Sequence, residues 1–339
     1  MAEAIPGDEP AGPAPQPGSP PELEAFRRLQ ARLPRMFRDQ ADDPRKPRTV
    51  VVVPSLSVDQ EVMAQIPGVH HYEERMLCML LLLRSPRTRL VYLTSQPVAE
   101  PIVDYYLHLL PGVPYRHARR RLDLFSCHDS TAQPLSAKIL ARPRLLARVR
   151  EAVPDPETAS MACFTVSPLE RTLAVRLGMP IYGCDPALLH LGSKSGGRKI
   201  FREAGVPVPE GLEDLAGEED VADALAELRT RDPGLRRAVV KLDEGLSGEG
   251  NAVFGFEGAP RGPALAGWVR SRLPRQLAFE ARGMTWDAYR AKLRSMGAVV
   301  EAFVEGAEKR SPSAQYRVDP LGCVEAVSTH DQVLGGPSG

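Results

Sequence analysis

Three glycines within six residues follow a lysine in the stretch Val239-Val240-Lys241 and Gly245-Leu246-Ser247-Gly248-Glu249-Gly250-Asn251-Ala252-Val253. A β-branched pair running into a lysine reads as a strand end, and the glycine spacing makes a loop whose backbone amides can approach an anion closely. The chemistry is that of a phosphate grip. Lys241 supplies a point charge, and the loop from Gly245 through Ser247 and Gly248 to Gly250 supplies N–H donors that could close over the oxygens. It is not a P-loop, where the lysine follows the glycines and opens a helix; here the chain returns to a second strand at Ala252-Val253-Phe254. The same residues also suit an ordinary glycine-rich hairpin carrying a solvated lysine. The stretch alone does not separate the two.

A second stretch adds acceptors. Val299-Val300-Glu301-Ala302-Phe303-Val304-Glu305-Gly306-Ala307-Glu308 reads as a strand that turns at Gly306. Its backbone groups beside Glu301 and Val304 suit the polar edge of adenine, and Glu308 suits ribose hydroxyls, but an amphipathic strand with a wet polar face has the same composition. Two other clusters are read as structural. His70-His71 with Glu73-Glu74 cannot converge on one ion, because adjacent side chains diverge on a helix or strand. The run Arg116-His117-Ala118-Arg119-Arg120-Arg121 lacks the interleaved aromatics of a nucleic-acid platform and is read as a solvated loop.

The elements that must position these groups fall into two regions. Residues 1–21 are Pro- and Gly-rich and are expected to be disordered. An α/β domain is expected over 22–190: a leading helix 23–37, the valine run 49–53 of a strand covered on both faces, helices near 72–83, 101–110, 135–149 and 168–177, and strands near 90–93, 122–126, 162–166 and 180–182. Such alternation implies a parallel sheet with right-handed crossovers. Residues 191–339 read as a second module, with a helix opening near Lys194 and stopped by Gly205-Val206-Pro207-Val208-Pro209, a helix 219–230, strands 238–242 and 251–256, a loop 257–267, and a helix 285–295.

Composition narrows the class. With 43 basic and 43 acidic residues there is no global field to recruit nucleic acid or a membrane surface. Five cysteines without a C-x-x-C pair argue against a disulfide framework and point to a cytoplasmic setting. The densest apolar run, 76–83, is too short to span a bilayer. A dehydrogenase reading of the first domain fails because Pro54-Ser55-Leu56-Ser57 stands where a dinucleotide fingerprint would follow the first strand.

Taken in order, Lys194 with Arg198 and the Gly205-Val206-Pro207-Val208-Pro209 stop, Val239-Val240-Lys241 with its glycine loop, and Glu301 to Val304 followed by Glu308 resemble the ATP-grasp superfamily. Val53-Pro54-Ser55-Leu56-Ser57, the stretch 68–75, Tyr182-Gly183-Cys184-Asp185-Pro186 and the stretch 329–336 further resemble its branch of pheganomycin-type peptide ligases. The resemblance implies an α/β fold, with a parallel-sheet pre-ATP-grasp domain followed by an incomplete ATP-grasp α+β module. It implies ATP and Mg²⁺ as cofactors, with Lys194 and Lys241 on the phosphates, Gly245, Ser247, Gly248 and Gly250 covering them, Glu301 and Val304 at adenine and Glu308 at ribose. The implied activity is an ATP-dependent ligase that converts a carboxylate to an acyl phosphate and joins it to an amine. The substrates would be amino acids or peptides, in small-molecule or peptide biosynthesis, with no nucleic acid or membrane partner.

One departure bears on turnover. The acidic strand and Glu-x-Asn segment that hold Mg²⁺ in the superfamily have no counterpart before Gly339, so no metal ligand and no catalytic residue is assigned, and the ligands are expected beyond the C-terminus. The alternative is therefore a catalytically inactive ATP-binding or partner-binding fragment. The strand 299–304 is expected to have an uncovered edge, which leaves a homo-oligomer open.

Overall fold

A computed structural model describes residues 14–57, 68–245, 250–306 and 310–333. It divides into two compact units, Met1–Pro186 with Val318–Val324, and Ala187–Arg317 with Glu325–Gly339. Among the described residues no helix is long and apolar enough to cross a membrane.

The first unit is built on a parallel sheet of order β3-β2-β1-β4, from β1 (Arg48–Val53), β2 (Thr88–Thr94), β3 (Leu122–Ser126) and β4 (Ala159–Cys163). The valine run forms a central strand because it has apolar partners on both faces. Val50 and Val52 join Leu77, Leu80, Leu90 and Tyr92, whereas Val51 and Val53 join Phe26, Leu146, Met161 and Leu173. Each buried valine contributes roughly 1.5–3 kcal/mol. The helices are α1 (Pro20–Gln30), α2 (Leu33–Asp42), α3 (Glu100–His108), α4 (Tyr115–Arg119), α5 (Leu135–Leu140), α6 (Pro143–Glu151) and α7 (Pro168–Leu177).

Several sequence expectations shift in this unit. The leading helix and the helix expected over 135–149 are each broken in two, the second at Pro143, which has no N–H to continue the ladder. The segment expected as an α-helix over 72–83 is a 3₁₀ helix, Val69–Arg84. Leu77, Leu80 and Leu83 are all buried, and a three-residue turn stacks that spacing on one face. The fourth strand lies three residues earlier than expected, and the expected strand 180–182 is one parallel bridge, Met161 to Ile181. Residues 1–13 of the expected tail lie outside the described residues, and α1 opens at Pro20.

Both clusters have partners within the fold, and the run 116–121, expected as a solvated loop, instead carries helix α4 and a part-buried Arg121. Glu73 is buried and accepts from Ser95 N at 2.5 Å and Ser95 Oγ at 2.6 Å, while Lys138 Nζ donates to that hydroxyl at 2.8 Å. His71 Nδ1 meets Glu74 Oε1 at 2.7 Å. The side chain of His70 lies outside the described atoms. Arg121 donates to the carbonyls of Leu83, Ser85 and Thr88 at 2.7–2.8 Å, so it clamps the chain ahead of β2.

The second unit holds a five-stranded sheet of order β5-β9-β6-β7-β8. Its strands are β5 (Gly211–Leu215), β6 (Arg237–Leu242), β7 (Asn251–Gly255), β8 (Ala278–Phe279) and β9 (Ala298–Ala302). The helices are α8 (Lys194–Glu203), α9 (Glu218–Arg231), α10 (Ala264–Gln276) and α11 (Trp286–Met296). Ala238, Val240, Leu242, Phe254 and Val300 face a core shared with Leu225 of α9, Val269 of α10 and Leu293 of α11. Alternation then puts Val239, Lys241, Val299 and Glu301 on the opposite face. α9 begins with Glu218, Glu219 and Asp220 and ends with Arg229 and Arg231, which suits the helix dipole at both ends.

The expectation of an uncovered edge at 299–304 is corrected. β9 pairs antiparallel with β6 on one side and with β5 on the other, Gly211 standing opposite Glu301. A further two-stranded hairpin, β10 (Ser311–Val318) and β11 (Val324–Gln332), is largely exposed and turns through Asp319–Cys323.

Candidate functional site

The site face of the second sheet begins with Lys241, the fifth residue of β6. Its register opposite Asn251 of β7 places it at the neck of the glycine loop. The neck is narrow: a Cβ on Gly245 would lie 3.0 Å from Gly250 Cα, and one on Gly250 would lie 3.0 Å from Gly245 Cα. A side chain at either position would oblige the facing backbone to give by a few tenths of an ångström, independent of any ligand. Leu246, Ser247, Gly248 and Glu249 lie outside the described residues, as does Glu308.

Lys194 reaches the same neck from a different element. Ser193 caps α8, its Oγ accepting from Gly196 N at 2.9 Å, and Lys194 is the first helical residue. Asp243, two residues beyond Lys241, ties the helix start to the strand end. Its carboxylate accepts from Ser195 N at 2.8 Å and Ser195 Oγ at 2.9 Å, and its carbonyl accepts from Lys194 N at 3.2 Å. The first N–H groups of α8 are thus already bonded within the fold. The start of α8 therefore offers an anion no free backbone N–H, and Lys194 Nζ lies 3.0 Å from the Gly245 carbonyl.

Electrostatics distinguish Lys194 from a surface lysine. Burial pushes the Lys194 ammonium below the ordinary lysine range, with Lys241 adding to the effect and Asp243 and Glu301 opposing it. Lys199 on the same helix instead makes an exposed pair with Asp214 at 2.5 Å. A half-buried amine beside a like charge is stabilised by an arriving anion.

Glu301 occupies the centre. It is 7% exposed; Lys241 Nζ bonds its Oε2, and Arg198 Nη1 bonds its Oε1 at 2.6 Å. Burial pushes this carboxyl up, but the two cations outweigh it and hold the group below the usual carboxylate range. The sign for stability follows. The pair contributes fully above the unfolded glutamate pKa of about 4.3, and the contribution is lost as pH falls through the depressed folded value. Glu301→Gln should therefore be less stable than wild type at pH 7, with the difference narrowing as the pH falls through the depressed folded value. Urea titrations of both proteins across that range measure it, and a gap independent of pH would refute the assignment.

Lys194, Lys241, Gly245, Gly250 and Glu301 are thus brought together. Val304 lies past the end of β9 and is 70% exposed, beside Glu305, which pairs with Arg237 at 2.8 Å. The sequence pointed to no role for Ser195, Glu213 or Asp243, and to Arg198 only as a companion of Lys194 in the motif. The proximity of Asp243 to Lys241 and of Ser195 to Lys194 in the chain was the available signal. Among the described residues no group of three or more His, Cys, Asp or Glu side chains could hold a metal ion.

Residues 186–257 match the IQCH-like ATP-grasp family model. The chain is similar to L-propargylglycine–L-glutamate ligase of Streptantibioticus cattleyicolor, 31% identical over 85% of this chain and 59% of that protein. It is also similar to IQ motif-containing protein H of Danio rerio, 24% identical over 86% of this chain and 31% of that protein. It therefore spans about three fifths and one third of the lengths of these two relatives. D-alanyl-alanine synthetase A from Vibrio cholerae is 9% identical, with a TM-score of 0.43 over 86% of this chain and 68% of that one.

Proposed function

We propose that this chain carries the nucleotide site of an ATP-dependent ligase that joins a carboxylate to an amine, forming a peptide or amide bond. The observation that carries this reading is the convergence of Lys194 and Lys241, from separate elements, on one glycine neck. The residues fit a polyphosphate, because Lys194 is a half-buried cation next to a second cation. ATP would supply the phosphoryl group: a substrate carboxylate oxygen bonds to the γ-phosphorus as ADP leaves, and the amine then displaces phosphate from the acyl carbon.

The chain's own residues bind and orient. Lys194 and Lys241 present ammonium donors to the phosphate oxygens, and the Ser195–Asp243 contacts hold together the helix start and strand end from which the two lysines extend. The backbone after β9, at Val304, suits adenine, and Glu308 suits ribose. Among the described residues no group of three or more His, Cys, Asp or Glu side chains could hold a metal ion, and no step is assigned to Mg²⁺. The similarity to an amino-acid ligase supports amino-acid or peptide substrates. A second reading is a nucleotide-binding module without turnover; residues 186–257, which carry Lys194 and Lys241, are the part that the IQCH-like ATP-grasp model matches.

Two measurements test this. ATP at about a hundred times its dissociation constant should stabilise the chain by about 2.7 kcal/mol, with GTP giving much less. Equal stabilisation by both would remove the adenine reading. Hydroxylamine added to chain, Mg-ATP and a panel of amino acids and peptides should trap an acyl phosphate as its hydroxamate. ATP binding with no hydroxamate and no acceptor-dependent ADP release would leave the second reading.

A further inference from the structure

One buried cation in the site is not needed for gripping phosphate. Arg198 is 6% exposed and donates through Nε to Glu213 Oε1 at 2.6 Å, through Nη1 to Glu301 Oε1 at 2.6 Å, and through Nη2 to the Pro209 carbonyl at 2.8 Å. Three elements thus fix its plane: α8, β5 with its leading loop, and β9. Gly211 is shaped around it. A Cβ there would lie 2.5 Å from Val300 O and 3.0 Å from Arg198 Nη2.

Lys241 takes the other oxygen of Glu301, and its side chain is 30% exposed. The carboxylate is therefore shared between a fixed, buried cation and a jointed, partly exposed one. A buried carboxylate stripped of its only cation is strongly destabilised, so a lysine that is sole partner cannot leave it for a ligand. Glu301 escapes that constraint because Arg198 stays behind. Glu213 in turn shares its Oε1 with Arg202 at 2.8 Å, which keeps the interior charges matched.

We propose that Arg198 is a positioning residue that releases Lys241 to an anionic ligand by holding the Glu301 charge in the interior. The proposal rests on the polyphosphate reading of this site, and not on the ligase chemistry. Without Arg198, Lys241 becomes the only cation hydrogen-bonded to Glu301 and is retained by it. With both charges removed, Lys241 is released again.

The test uses the full chain as wild type, Arg198→Met, Glu301→Gln and the double variant. Tripolyphosphate affinity is measured by calorimetry. Acylation of Lys241 by an N-hydroxysuccinimide ester is followed by peptide mass spectrometry, with Lys199 as reference. In wild type, tripolyphosphate should protect Lys241 from acylation. Arg198→Met should weaken tripolyphosphate by about tenfold or more and abolish that protection, and the double variant should return to within about threefold of wild type. Wild-type affinity in Arg198→Met, or a double variant as weak as the single, overturns the proposal. If Arg198→Met fails to fold, Arg198→Lys carries the test: affinity within about threefold of wild type supports the proposal, and a loss as large as that of Lys241→Ala overturns it. A wild type that follows the expected pattern with tripolyphosphate but does not bind ATP supports the proposal while removing the nucleotide reading. A wild type in which tripolyphosphate does not protect Lys241 overturns the proposal itself.

Discussion

Lys241→Ala should weaken ATP binding by about ten- to a hundredfold, the loss of one charge-assisted contact worth about 1.5–3 kcal/mol. Lys194→Ala does the same for a partly separate reason. Its amine also holds the Gly245 carbonyl at 3.0 Å, so the variant loosens the neck as well as removing a charge. Lys199→Ala is the comparison. That side chain is 48% exposed and paired with Asp214, and its loss should change affinity by less than about threefold. Calorimetric titration of the three variants separates these outcomes, and equal affinities in all three would end the phosphate assignment.

The contrast between these lysines shows which parts of the site were legible in the sequence. Lys241 stands out because its signals are local: a β-branched run before it and glycines after it. The antiparallel return at Asn251 follows from the same few residues. Lys194 is legible only through resemblance, because nothing in Ser193-Lys194-Ser195 states that Asp243 will fix it to another strand. Arg198 is less legible still. Its role depends on Gly211 lying opposite Glu301, a pairing between residues 90 positions apart.

The fold shows the same division between local and distant signals. The valine run of β1 announces burial on both faces, and both faces are buried. β5 gave no signal, since Gly211-Leu212-Glu213-Asp214-Leu215 mixes acids into a strand and shifts register between Leu212 and Leu215, with Asp214 at φ 58°. The expectation of an open edge at β9 failed for that reason. α10 was hidden too, because Gly267 and Pro274 interrupt its helical pattern while Leu265, Val269 and Leu273 still supply one buried face.

Gly196→Ala should have the largest effect on the unit as a whole, and it acts through backbone rather than charge. A Cβ at this position would lie 2.0 Å from the His190 carbonyl oxygen and 2.9 Å from Leu191 Cα. No side chain can rotate away to relieve that contact. Either the 190–191 segment retreats or the first turn of α8 shifts, and a shift moves Lys194 and Ser195 off Asp243, which they contact at 2.8–3.2 Å. The cost is at least the roughly 1–3 kcal/mol of ordinary overpacking. ATP affinity should fall with it, because the spacing of the two amines depends on that first turn. Gly197 is the neighbouring control: a Cβ there meets nothing within 4 Å, and Gly→Ala inside a helix stabilises by roughly 0.5–1 kcal/mol. Urea denaturation and ATP titration of the two variants should therefore move in opposite directions for stability, with affinity lost only in Gly196→Ala. If Gly196→Ala kept both wild-type stability and wild-type affinity, the close seat of α8 on the 190–191 segment would not be what sets the position of Lys194.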